Sequence, residues 1–174
     1  MAAVGYKGSG KIVSGDFKTV KWTGKTKSGN SVVITLDNAI SMSNVDWTFA
    51  EKDDLVATVT FTATYTNTNS MVSTDSDYAE PWKVVYTAGT GAADDIVLGA
   101  GVVTIGSSDV ALTRGGSHFT VEREYREISA DGDRGPVKDR VVMEGSRATL
   151  ELNALQVITK LTDLYPAMTA ASTS

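Results

Sequence analysis

Residues 57–66 read ATVTFTATYT. The odd positions are Ala57, Val59, Phe61, Ala63 and Tyr65, and the even positions are Thr58, Thr60, Thr62, Thr64 and Thr66. Side chains of a strand alternate between the two faces of its sheet, so this stretch lays an apolar column on one side and a hydroxyl column on the other. Both columns suit a pleated surface, where β-branched and aromatic residues pack well. One face is built for a core and the other for a polar surface.

Outward from this stretch the same period recurs. FKTVKWTGK (17–25) and SVVITLDNA (31–39) flank Thr26-Lys27-Ser28-Gly29-Asn30, which has the composition of a hairpin turn. VDWTFA (45–50) precedes a charged turn at 51–54, and PWKVVYTA (81–88) carries Pro81 at its start, where a missing N–H is tolerated. AGVVTIGS (100–107) and SHFTVEREYREI (117–128) are expected to surround a turn centred on Gly115-Gly116, with PVKDRVVMEG (136–145) and RATLEL (147–152) as the last strands. One segment has helical spacing: Asn153 is placed to cap it, Ala154, Ile158, Leu161 and Tyr165 share a stripe, and Pro166 ends it. The expected fold is mostly β: a β-sandwich or partial barrel of two packed sheets with one short α-helix. The whole chain, 1–174, reads as one domain, with flexible ends at 1–5 and 167–174.

Composition narrows the function classes. Apolar residues make up 41% and charged residues 21% of the 174 residues, an ordinary globular balance. No apolar run approaches the roughly 20 residues of a membrane-spanning helix, so no membrane partner is expected. The absence of cysteine rules out disulfides and thiolate metal sites. The net charge of −5 opposes a protein that grasps nucleic acid, because phosphates are repelled over a Debye length of about 8–10 Å.

No cofactor or metal is expected from the motifs. GYKGSGKI (5–12) nearly fits a phosphate-binding loop, but Ile12 stands where a magnesium-binding hydroxyl belongs, and no helical pattern follows. A Gly/Ser loop is the expectation there. Asp131 and Asp133 around Gly132 lack the closing glutamate of a calcium loop and read as a hairpin loop. His118 is the lone histidine, without a nucleophile-elbow pattern, so no catalytic constellation and no enzyme is expected. EREYREI (122–128) carries charge on both faces. It is either an edge strand defended by charge or a strand whose second face meets a neighbouring subunit or a polar channel.

From Asp95 onward, VLGAGVVTIG, the Gly115-Gly116 pair before a charged strand, DGDRGPVK, and ATLELNALQVITKL together resemble the first part of the major tail tube proteins of long-tailed (siphovirus-type) bacteriophages. The second part of that family resembles what stands first here, TGKTKSGNSVVITLDNAISMSNVDWTFAEKDDLVATVTFTATYT followed by EPWKVVY. The order of the two parts is exchanged, as in a circular permutation. Residues 89–94 would then be the joint between original ends inside one domain, because a joint so short needs neighbouring termini.

The resemblance implies a structural virion protein. Family members form hexameric rings that stack into the hollow tail tube, assembled in the host cytoplasm, with strands of each subunit lining the lumen. The implied partners are further copies of the chain, the tape-measure protein, tail terminator and initiator proteins, and DNA that transits without specific binding. Thr58, Thr60, Thr62, Thr64, Glu122 and Glu124 are then the expected lumen-facing residues, and Lys27, Asn30, Met71 and Tyr78 the expected contacts between subunits. Two alternatives stand beside it: the similar tube protein of a type VI secretion-like apparatus, and a monomeric β-sandwich binding module for a glycan or protein, with Trp22, Trp47 and Trp82 as candidate aromatics.

Overall fold

The structure, a computed structural model, describes residues 5–8, 11–43, 56–65, 80–91, 97–135, 137, 140–155, 161–165 and 168–171. Within them the protein is mostly β. The strands in chain order are β1 (Gly5–Gly8), β2 (Lys18–Thr26), β3 (Ser31–Ser41), β4 (Ala57–Thr62), β5 (Trp82–Tyr86), β6 (Val97–Ile105), β7 (Ser108–Glu127), β8 (Val141–Ala154) and β9 (Met168–Ala171). The helix α1 spans Leu161–Leu164, and a single 3-10 turn spans Ser14–Asp16.

Seven strands form one antiparallel sheet in the order β2-β6-β7-β8-β4-β3-β5, and β2 also pairs with β3. The sheet therefore returns on itself as a closed barrel, with β5 on the remaining edge of β3. Two strands turn the corners. β3 pairs with β5 up to Leu36, with β2 up to Leu36 and again, after a register shift, at Ala39, and with β4 at Ile40 and Ser41. Asn38, with φ 46°, makes that bend, a backbone that Asn tolerates better than most residues. β7 pairs with β6 up to Leu112 and with β8 from Thr113, with a register shift before Ser117 and Gly116 at φ 102°.

This corrects the reading of the glycine pair as a hairpin turn. The turn between β6 and β7 is at Gly106-Ser107, and Gly116 bends one long strand from one half of the barrel to the other. The two strands expected at 136–145 and 147–152 are likewise one, β8. Strand β8 also runs through Asn153 and Ala154, so Asn153 caps no helix; the described helix is confined to Leu161–Leu164. The Gly5–Gly8 stretch is a strand, paired with Met168–Ala171, where a loop and a flexible end were expected. The expected strand at 45–50 and the turn at 51–54 lie outside the described residues.

The core fills the barrel. Val20 and Trp22 of β2, Leu36 of β3 and Phe61 of β4 meet Val103 of β6 and Leu150 of β8, all at most 5% exposed. Leu161, Leu164 and Tyr165 pack into the same cluster. The apolar column of residues 57–63 faces this core, as its period requires. Trp22 has a special seat. Gly24 and Gly101 are cross-strand partners, and a Cβ on either would lie 2.3 Å from its indole. Two bare backbones make the room for the largest side chain in the barrel.

Candidate functional site

Strands β4, β8 and β7 lie side by side, and their registers fix which side chains share a face. On the core side, Val59 is opposite Leu152, Phe61 opposite Leu150, and Leu150 in turn opposite Phe119. On the outer side the rows are polar throughout. Thr58 is opposite Asn153. Thr60 is opposite Glu151, which is opposite His118. Thr62, Thr149 and Thr120 form the next row, followed by Arg147 with Glu122 and Gly145 with Glu124. The threonine column of 57–66 and the glutamates of EREYREI, far apart in the chain, thus belong to one wall. The physical reason is register: with a period of two on each strand, a slip of one residue would turn an apolar column out of the core, so the apolar columns hold the Thr and Glu columns together on the other face.

The wall is tied together by its own side chains. Thr58 Oγ1 donates to Asn153 Oδ1 at 2.8 Å, and Asn153 Nδ2 donates to the Gly116 carbonyl at 3.3 Å, bracing the bend of β7. The Thr60 N–H donates to Ser43 Oγ at 2.7 Å. Glu122, Glu124 and Glu151 are exposed; the registers put Arg147 among them, and Arg126, paired with Glu144, follows Glu124 along the same face. The wall is therefore hydroxylic and net acidic.

Not every expected residue shares this exposure. Thr58, Glu122 and Glu124 are exposed and Thr60 is half-buried, whereas Thr62 is buried. Thr64 lies beyond the end of β4 and donates to the Asn38 carbonyl at 2.6 Å. The hydroxyl column is closed at that end because the β3 corner, with Ile40 and Ser41 paired to Thr62 and Phe61, folds beside it. Of the expected subunit contacts, Lys27 is exposed in the β2–β3 turn. Asn30 closes that turn, its N–H donating to Thr26 Oγ1 at 3.1 Å and its carbonyl accepting from the Thr26 N–H at 2.8 Å. Met71 and Tyr78 lie outside the described residues.

The charge on both faces of EREYREI has a structural cause. Beyond Val121 the β7–β8 pair leaves the barrel as an arm, so neither face is core. Arg126 Nε and Glu144 Oε1 form an ion pair on it. At the tip, Asp133 Oδ2 accepts from the Ala130 N–H at 2.7 Å and from Arg140 Nη1 at 2.8 Å. That carboxylate organises a loop through bonds within the protein.

Other sequence features resolve differently. His118 is exposed on the polar wall opposite Glu151. Among the described residues no group of three or more His, Asp or Glu side chains converges as a metal site. Trp22 is 5% exposed in the core, and Trp82 is half-buried, its ring 5.5 Å from that of Phe119. Neither offers an open aromatic platform, and Trp47 lies outside the described residues. The strand expected at 81–88 is present as β5, but its place at the rim of the sheet was not legible: Val84, Val85 and Tyr86 are 44%, 56% and 61% exposed on a strand whose one partner among the described residues is β3. The sequence signal was present in WKVVY, an apolar run with one charge, but nothing local says that a strand lies at an edge.

No family model, curated protein or solved structure matches the chain.

Proposed function

We propose that the protein is a self-assembling structural subunit of the tail-tube kind, with the polar face of β4, β8 and β7 as the wall of the channel. The observation that carries the reading is that wall: the threonines and Glu151 with the barrel core directly behind, continued along the arm by Glu122 and Glu124. An acidic, hydroxyl-bearing surface repels phosphates, so a nucleic acid passes along it without sticking. The resemblance in sequence to tail tube proteins supports the same reading. β1 and β9, from distant parts of the sequence, pair antiparallel. Residues 87–96 join β5 to β6 within a single sheet, with β3 and β2 between them. That connection fits a joint inside one domain, in a chain whose order is permuted relative to the family.

Negative-stain electron microscopy of the purified protein, over a concentration series, tests the proposal. Rings or hollow tubes are the expected result. Small monodisperse particles at every concentration would count against it and in favour of a monomeric binding module.

A further inference from the structure

We infer that neighbouring copies join through two particular edges: strand β5 of one copy adds antiparallel to the free edge of β8 of the next, with Val84 opposite Met143. The inference rests on the self-assembly reading and names the surface that performs it.

An open edge with apolar side chains is a template for another strand, and natural sheets guard such edges with charge, proline or bulges. Strand β5 is poorly guarded. Its backbone pairs on one side with β3, its residues 83–86 are exposed, and Lys83 is the one charge in Trp82–Tyr86. The second open edge is on β8. Strand β4 covers it through the pairs Ala57–Ala154 to Thr62–Thr149, and the Ala63 N–H donates to the Ala148 carbonyl. Among the described residues, Val141–Arg147 has β7 on one side and no strand on the other.

The two edges fit in one register. Laid antiparallel with Val84 opposite Met143, Val85 meets Val142, Tyr86 meets Val141, and Lys83 meets Glu144 at the bulge of β8. Three apolar pairs and one opposite-charge pair result, the combinations that stabilise adjacent strands. The faces agree as well. Val84 and Tyr86 lie on the core side of their sheet, since their partners Ile34 and Val32 do. Met143 and Val141 lie on the same face as Tyr125 and Glu127, the outward continuation of the core side of β7 and β8. Val85 and Val142 are then both on the outer side. Apart from the half-buried Met143, the apolar residues so paired are exposed in the single chain: Val85 is 56%, Val142 41% and Val141 47% exposed. Because the two edges differ, the contact is head-to-tail, and such contacts generate rings or filaments in place of closed dimers.

The chain has no cysteine, so engineered thiols report the contact cleanly. Val85→Cys and Val142→Cys are prepared separately, mixed, and oxidised under assembly conditions. Opposed residues on paired strands have Cα atoms about 4.5–5.5 Å apart, within disulfide reach. The expected result is a disulfide dimer that needs both variants, with little from either alone. A parallel experiment uses Lys83→Glu and Glu144→Lys: each alone weakens assembly by about tenfold or more, and mixing the two restores it. Wild-type assemblies without the mixed disulfide would overturn the edge assignment and leave the self-assembly reading standing. A disulfide from Val85→Cys alone would mean β5 pairs with itself and would overturn the head-to-tail contact. A wild-type chain that stays monomeric at every concentration would overturn both readings.

Discussion

Gly101→Ala is a demanding test of the barrel interior. Alanine is ordinarily better than glycine in a strand by roughly 0.5–1 kcal/mol, because glycine loses more backbone entropy on folding. Gly101 lacks a left-handed backbone, so that benefit should be available. The structure reverses the sign. The added methyl would stand 2.3 Å from Trp22 Nε1 and 2.5 Å from its Cε2, well inside van der Waals contact. Trp22 is 5% exposed, with its ring against both Gly24 and Gly101, so it has little room to retreat. Overpacking of this kind costs about 1–3 kcal/mol. A net loss of about 2 kcal/mol would lower Tm by about 4–8 °C for a chain of this length. The matched control is Gly99→Ala on the same strand, where a Cβ meets nothing within 4 Å; its Tm should hold or rise. Trp22→Phe shrinks the ring, so Gly101→Ala should cost less in that background, which a double-mutant cycle measures. Thermal unfolding followed by far-UV circular dichroism is the assay. Equal Tm values for the Gly101→Ala and Gly99→Ala variants would refute the reasoning.

Three further outcomes are expected. On the proposed tail-tube reading, Thr60→Lys or Glu124→Lys should leave assembly intact and make the assemblies retain added DNA, with release as salt rises; retention equal to wild type would remove these residues from the proposed channel wall. Asn153→Ala breaks the Thr58–Asn153–Gly116 bridge and should cost about 1 kcal/mol in chemical denaturation, with a control at exposed Thr58 costing less. Asp133→Asn weakens the bond to Arg140 on a partly exposed loop, so trypsin should cut after Arg134 faster while global Tm moves little.

The polar wall shows how far local pattern reaches. The alternation at 57–63 was legible because the period of a strand is a property of the chain itself, and the apolar column faces the core as read. The same pattern could not show that Thr62 is buried. That follows from the β3 corner, which a different part of the chain supplies. The glycine pair at 115–116 was read as a turn because a positive φ serves a turn and a bend equally well. The choice depended on whether β7 continued into a new partner, β8. Residues 150–154 posed a similar ambiguity, since Ala154 fits both the helical stripe through Leu161 and the strand column of Leu150 and Leu152. Pairing with β4 and β7 on both sides settled it in favour of the strand.

By itself, then, the sequence determined the mostly β class, the β2–β3 hairpin, the apolar columns of the core and the acidic, cysteine-free character of the surface. Each of these depends on residue type, or on neighbours two to five positions away. The tertiary structure alone decided that the sheet closes, that the Thr and Glu columns share one wall, that β1 and β9 pair, and that β5 has β3 as its one partner among the described residues. Those features are pairings between segments tens of residues apart. Burying every apolar column at once constrains those pairings jointly, a condition that no single strand can express.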